Sequence, residues 1–548
     1  MPLSPSPFQA AAVLVAAFVL RAIYRTCLAR LPEDNIPGPP ADHWFMGHMP
    51  SISTRHSWKA WTDWATTYGS AYLIKFPIER PVIVTHDPKA IHHMLIKDMD
   101  NFPKFITPSA ELPFLLGPGV LTTLGDQHKR QRKLLNPVFS SAHLRDMTHI
   151  FYMVAHRLND AMGKRVPEAD PVKGMDVNAW MARTTLEMLG QAGLGYSFDN
   201  FSEDSTDEFA ESVKLFFPVL MRCNVLQLST QKMSEYLSTS AMRRLWRMLP
   251  LPDTNKLLDI SETMERRSRE IIAEKKRALE GGDEALAHEI GEGKDIMSIC
   301  LKANMAATEH EKMSDDEIIA QVSTFILAGM DTTSNALSRI LLLLAGHPDV
   351  QDKLRKELVE AQGADRSDLS YEDLVKLPYL DAVCRETLRL HAPVPITGRM
   401  ASTDTAIPLA QPLRARDGRP VHELAVSRGT LVLLNLQASN VDRALWGDDA
   451  AAWRPERWLA ALPAALEGAR VPGVYAHLMT FSAGSTSCIG FKFSQAEMKV
   501  ILATLLPVFS FALTDKEVTW NASAVLYPTM GYDSDKPEMR LFVKAIKS

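Results

Sequence analysis

The sequence predicts one large globular body that contains long α-helices. Three observations carry this. Ser314-Asp315-Asp316-Glu317 reads as a capping box, and apolar residues then recur at helical spacing to Leu344. Two more helix patterns lie at residues 379–390 and 493–506. No Ser/Gly linker, internal repeat or low-complexity tract divides the 548 residues, although length alone suggests three or four domains.

Composition supports a packed chain. Hydrophobic residues make up 46% and charged residues 23%, an ordinary globular balance. The formal net charge of −5 offers no basic excess for nucleic acid. Cys27, Cys223, Cys300, Cys384 and Cys488 are scattered, odd in number and without a Cys-x-x-Cys pair. That argues against a disulfide framework or zinc site and fits a reducing compartment. Gly193-Leu194-Gly195 lacks the third glycine of a dinucleotide-binding turn.

The amino terminus reads as a membrane anchor. Residues 8–20 are apolar except Gln9, and Ala22, Ile23 and Tyr24 extend the run. Its length is close to the short end of the roughly 17–25 residues that span a bilayer. No Lys or Arg precedes it, whereas Arg21, Arg25 and Arg30 follow. The absence of leading charge argues against a cleaved signal, and the arginines place the following chain on the cytoplasmic side. A buried or interfacial helix is the alternative. Leu31-Pro32 and Pro37-Gly38-Pro39-Pro40 then read as a stiff, extended hinge.

The central helix, with Gly346 and Pro348 as stop signals, holds roughly 30 residues and so about 45 Å. Ala328-Gly329-Met330-Asp331-Thr332-Thr333 concentrates helix-poor residues in its middle. One reading is a tolerated glycine with threonines bonding to the preceding turn. The other is a local opening, where Ala328 and Gly329 leave space, Thr332 offers a hydroxyl and Asp331 a proton.

Cys488 lies in Phe481-Ser482-Ala483-Gly484-Ser485-Thr486-Ser487-Cys488-Ile489-Gly490, just before the helix at 493–506. A lone cysteine among apolar residues is commonly inert core. A thiol at a helix start instead meets free N–H groups and the positive dipole end, which favour thiolate. Gly484 allows a turn, and Gly490 lets a flat ligand approach the backbone.

The loop resembles the haem-binding signature of the cytochrome P-450 superfamily, Phe-x-x-Gly-x-Arg-x-Cys-x-Gly, at Phe481, Gly484, Cys488 and Gly490. Thr486 stands where that signature has arginine. Ala328-Gly329-Met330-Asp331-Thr332-Thr333 matches the family's oxygen-activating motif. Glu386-Thr387-Leu388-Arg389 resembles its Glu-x-x-Arg, and Pro455-Glu456-Arg457-Trp458 its Pro-Glu-Arg-Phe with tryptophan last. The basic run from Gly125 to Lys133 resembles its Trp-x-x-x-Arg helix, with His128 for tryptophan and Arg132 conforming. The same run also reads as a solvated face.

The resemblance implies a mainly α fold with small antiparallel β-sheets: an anchor at 1–30, a hinge at 31–40 and a single haem domain at 41–548. It implies that Cys488 is the axial ligand of haem b iron and that Phe481, Gly484 and Gly490 shape its loop. Thr332 would stabilise bound oxygen and Asp331 would help deliver protons. His128, Arg132 and Arg399 would meet haem propionates. Glu386, Arg389 and Arg457 would form a buried triad bracing the cysteine loop; read from the residues alone, Glu386 and Arg389 are a surface pair. Residues 112–121, 216–220, 325–328, 394–397 and 526–530 would wall an apolar pocket, or equally be plain core.

The activity implied is monooxygenation: one atom of O2 enters a hydrophobic small molecule. Electrons would come from NADPH through a membrane-bound NADPH-cytochrome P-450 reductase, with cytochrome b5 as a second donor. The basic run and Lys492 offer a docking face. Fungal membrane-bound members are the nearest in style, implying secondary metabolism and a single-pass anchor in the endoplasmic reticulum with the catalytic body in the cytosol. Alternatives on this fold are an oxygen-independent isomerase or dehydratase, a non-catalytic haem-ligand binder and a haemless scaffold. Intact Asp331 and Thr332 argue against the first.

Overall fold

A computed structural model describes residues 31–77, 80–105, 112–168, 170, 172–199, 201, 208–223, 237–281 and 293–546. The expected anchor at 1–30 lies outside the described residues. Among those described, no helix is long and apolar enough to cross a membrane. The chain forms two compact units, Met1–Phe105 with Ile396–Ser439, and Ile106–Pro395 with Asn440–Ser548.

The first unit is built on a five-stranded sheet. Its strands, in spatial order, are Ala71–Phe76, Arg80–Thr85, Leu431–Asn435, Ile396–Met400 and Lys104–Phe105. Beside the expected antiparallel pairs, Arg80–Thr85 and Leu431–Asn435 run parallel. A parallel pair needs a long crossover rather than a tight turn, and these strands are far apart in sequence. Trp61, Tyr72, Ile74, Val82, Val84 and Leu431 form the unit's core.

The proline segment is held against this sheet. Leu73 N–H donates to Pro37 O at 2.8 Å. A Cβ on Gly38 would stand 1.9 Å from Leu73 O, so only glycine lets the backbones meet. Covering the edge strand in this way hides groups that would otherwise template foreign pairing. Buried Glu33 anchors the start of the segment, accepting from Ser427 N–H at 2.6 Å and Thr430 Oγ1 at 2.9 Å.

The second unit is helical around the central helix, Asp315–Gly346, of 32 residues. The capping box is formed: Ser314 N–H donates to Glu317 Oε2 at 2.8 Å, and Glu317 N–H to Ser314 Oγ at 3.3 Å. Several buried polar groups along this helix are paired. Ser338 Oγ donates to Asn178 Oδ1 at 3.0 Å, and the hydroxyls of Ser323 and Ser268 lie 2.9 Å apart. Two small antiparallel sheets complete the unit: Met175–Asp176, Arg540–Ala545 and Phe509–Leu513 in one, Val518–Asn521 and Tyr527–Met530 in the other.

Candidate active site

The cysteine loop folds back on itself. Cys488 N–H donates to Phe481 O at 2.9 Å, and Ser487 N–H to Gly484 O at 3.1 Å. Gly484 sits at φ +70°, a left-handed conformation that a side chain resists. The Phe481 ring lies 5.8 Å from that of Tyr475 and 6.1 Å from that of Phe491. Gly490 is the N-cap of helix Phe491–Leu505, which starts two residues earlier than the sequence pattern suggested. The Cys488 thiol is accessible. Burial nonetheless pushes its pKa up, against the Gly490 N–H and the charge of Arg132. This corrects the expectation that the helix start alone favours thiolate: desolvation by the surrounding protein outweighs it.

The central helix packs beside this loop's helix. The Phe139 ring stands 5.5 Å from that of Phe325 and 6.4 Å from that of Phe493, joining the two elements. Glu497 reaches Thr333 across them, and burial drives its carboxyl pKa far upward. Between buried stretches of the central helix, Ala328 is exposed, and Gly329, Asp331 and Thr332 are half-buried. Cys488 in its loop and Ala328 on the central helix are both exposed.

The motif does not break the helix, contrary to the expected local opening; the helix runs unbroken through 328–333. Its carbonyls are instead met by side chains. Thr332 Oγ1 donates to Ala328 O at 2.6 Å, Asn335 Nδ2 to Asp331 O at 2.8 Å, and Thr185 Oγ1 to Met330 O at 3.1 Å. Gly329 is pressed from behind, since a Cβ there would lie 2.8 Å from Leu189 Cδ2. Leu189 opens the π-helical turn Leu189–Leu194. Burial pushes the Asp331 carboxyl up to about 7, with the charge of Lys214 opposing.

Glu386, Arg389 and Arg457 meet in the interior, all buried. The interior setting replaces the surface-pair reading of Glu386 and Arg389. Arg389 grips Glu386 with both ends of its fork, Nη2 to Oε1 at 2.8 Å and Nε to Oε2 at 2.9 Å. Arg457 Nε reaches Oε1 at 3.3 Å, and its Nη1 reaches Asp449 at 2.9 Å. Arg389 Nη1 also donates to Ala450 O at 2.6 Å and Asn440 O at 3.1 Å. Asn440 Oδ1 in turn accepts from Met479 N–H at 2.7 Å, two residues before Phe481. The cluster therefore connects to the chain entering the cysteine loop.

His128 and Arg132 are one turn apart on helix Gly125–Leu135, so they share a face. Arg132 Nη1 donates to Ser487 O at 2.9 Å, beside the cysteine. Burial lowers the Arg132 pKa, and Cys488 opposes this. Arg399 lies in the first unit, on strand Ile396–Met400, where it is buried and its pKa falls to about 10. Of the expected wall segments in the second unit, Phe114, Leu115, Phe216, Leu220, Phe325 and Met530 are buried.

The donor set suits an iron carried by its own macrocycle. Among the described residues no three His, Cys, Asp or Glu side chains gather to hold a bare metal. A single accessible thiol among the described residues, with the half-buried Arg132 beside it, offers one axial ligand and one anion partner. Sequence reasoning passed over Glu497, and it read Glu317 only as a helix cap and Trp458 only as a departure from the motif. The indole N–H of Trp458 was legible as a donor that phenylalanine lacks, but burial of the two glutamates left no mark in the sequence.

The family model for cytochrome P450 matches residues 37–532. The chain is 54% identical over 539 residues to the ganoderic acid synthetase of Ganoderma lucidum, covering 98% of both. It is 43% identical over 531 residues to cytochrome P450 monooxygenase 91 of Postia placenta, covering 97% of both. With monooxygenase 81 of the same fungus it shares 44% identity over 532 residues, covering 97% of this chain and 96% of that one.

Proposed function

Because this chain belongs to the cytochrome P450 family, and is therefore a haem monooxygenase fed electrons by a reductase, we propose that Cys488 is its axial iron ligand and that its substrate is an apolar small molecule. The exposed Cys488, held in a glycine-turned loop beside Arg132, carries this reading. Bound iron would favour the thiolate at Cys488 and so offset the upward push of burial. Arg132 and His128 hold propionate charge from the helix beside the loop, and Arg399 is the third candidate. Arg132 would supply a positive charge that Thr486 does not.

When bound, the haem supplies dioxygen binding and O–O cleavage. The remaining tasks belong to the chain. Ala328 leaves room on the central helix. Thr332 holds a hydroxyl beside that space, shared with the Ala328 carbonyl. Asp331, poised at about 7, takes a proton and releases it near neutral pH. Apolar walls exclude water and favour a nonpolar substrate. The Ganoderma relative is named a ganoderic acid synthetase, which directs the substrate search to precursors of such acids.

The partners proposed are NADPH-cytochrome P-450 reductase and cytochrome b5. Residues 1–30 anchor the chain in the endoplasmic reticulum membrane, with residues 41–548 facing the cytosol. A reduced, carbon monoxide-bound difference spectrum of the purified full chain tests the ligand. A Soret band at the thiolate position, lost in Cys488→Ala, is expected; a colourless chain, or an unaltered spectrum in the variant, overturns it. NADPH and O2 consumption coupled to an oxygenated product tests the reaction.

A further inference from the structure

Glu317 has more donors than a helix cap requires. As the third residue of the central helix it completes the capping box through Oε2. Its other oxygen, Oε1, turns outward to helix Gly125–Leu135. It accepts from Gln127 Nε2 at 2.9 Å, Arg130 Nη2 at 2.6 Å and Gln131 Nε2 at 2.9 Å. The carboxylate is 4% exposed. Residues 127, 130 and 131 are spaced i, i+3 and i+4, so one face of that helix is held at a single atom. The adjoining face carries His128 and Arg132, and Arg132 donates to Ser487 O next to Cys488.

A second set of bonds fixes the segment leading into this helix. Gln131 Nε2 donates to Pro118 O at 2.8 Å, and Gln131 Oε1 accepts from Thr123 Oγ1 at 3.0 Å. Gln321, one turn after Glu317, accepts from Val120 N–H at 3.0 Å and donates to Glu317 O at 3.1 Å. Glu317 thus sits where the start of the central helix, the segment 118–124 and the basic helix converge. Successive helical residues point about 100° apart. Rotating the basic helix by a fraction of that angle would carry Arg132 away from the cysteine loop, and the Glu317 bonds prevent it.

We propose that Glu317 is a positioning residue: it sets the rotation of helix Gly125–Leu135 and thereby the place at which Arg132 meets the cysteine loop. The inference rests on the reading of Cys488 and Arg132 as parts of the haem site. It goes further by naming a residue that touches neither the cofactor nor the reacting atoms.

The test uses the haem-loaded full chain and three variants, Glu317→Gln, Arg132→Leu and the double variant. Two quantities are read, haem loss to an excess of an apoprotein scavenger and the ferric reduction potential. Glu317→Gln is expected to speed haem loss roughly tenfold, the usual cost of removing an outer partner of a bound group. It should also shift the potential in the direction that Arg132→Leu shifts it. The effect should largely vanish in the double variant, because both changes release one contact. A Glu317→Gln protein that melts at lower temperature but keeps wild-type haem loss and potential overturns the proposal. So does full additivity with Arg132→Leu.

If Glu317→Gln does not fold, Arg130→Leu leaves the capping box intact and is read in the same way. Loss of the haem spectrum in Cys488→Ala, measured in parallel, separates failure of this inference from failure of the site reading.

Discussion

Trp458 donates its indole N–H to Glu386 Oε2 at 3.0 Å. The family's motif has phenylalanine there, so this chain adds a donor to a carboxylate already gripped by Arg389 and Arg457. The backbone N–H of Arg454 reaches the same carboxylate at 3.1 Å. A buried charge is tolerated to the extent that it is surrounded by such donors.

Removing one donor should therefore cost less than removing the charge. Trp458→Phe keeps the ring and is expected to destabilise by about 1–2 kcal/mol. Arg457→Leu leaves the Glu386 charge short of a cation and should cost about 3–5 kcal/mol. Chemical denaturation of the haem-loaded protein measures both. Equal losses from the two variants would contradict this ordering.

Asp331 makes stability depend on pH. Its folded pKa, about 7, is raised above the unfolded value near 4. Between those values the folded state binds more protons than the unfolded state, so this group's contribution falls as pH rises through the window. Asp331→Asn should flatten that part of the profile in melting experiments across about pH 4 to 7. The same variant should slow turnover by roughly 100-fold if the carboxyl relays protons.

The Thr332 hydroxyl can be separated from its bulk. Thr332→Ser keeps the donor to Ala328 O, and Thr332→Val keeps the shape. Product formed per NADPH consumed should survive in the serine variant and fall several-fold in the valine variant. A valine variant with unchanged yield would remove the hydroxyl from the chemistry.

Thr486 gives a test by restoration. Thr486→Arg places a charged donor in the cysteine loop, where the family signature carries one. Haem loss to a scavenger should slow by roughly tenfold, while the reduced carbon monoxide band keeps its position because Cys488 is unchanged. A faster loss would mean that Arg132 already satisfies the site and that a second cation disturbs it.

Much of this was legible in the residues. Capping chemistry is local, so Ser314 and Glu317 located the start of the central helix, and Gly346 with Pro348 located its end. Spacing placed Glu386 and Arg389 on one face before their burial was visible. What escaped depends on distant partners. The unbroken helix at 328–333 rests partly on Thr185, which lies far away in sequence. The parallel pairing of Arg80–Thr85 with Leu431–Asn435 leaves no periodic trace that tells it from antiparallel pairing. The upward shift at Cys488 reflects the density of protein around the thiol, which dipole reasoning on one helix does not weigh.

The close approach of Leu189 to Gly329 gives an engineer a handle on the central helix. A methyl at 329 would collide with the leucine at 2.8 Å, so the helix wall is braced from its rear. Trimming Leu189 to alanine or valine creates slack there, and a bulkier residue at 329 then becomes admissible. The two positions can thus be exchanged as a pair on the side where the leucine packs, whereas a change at 329 alone would clash.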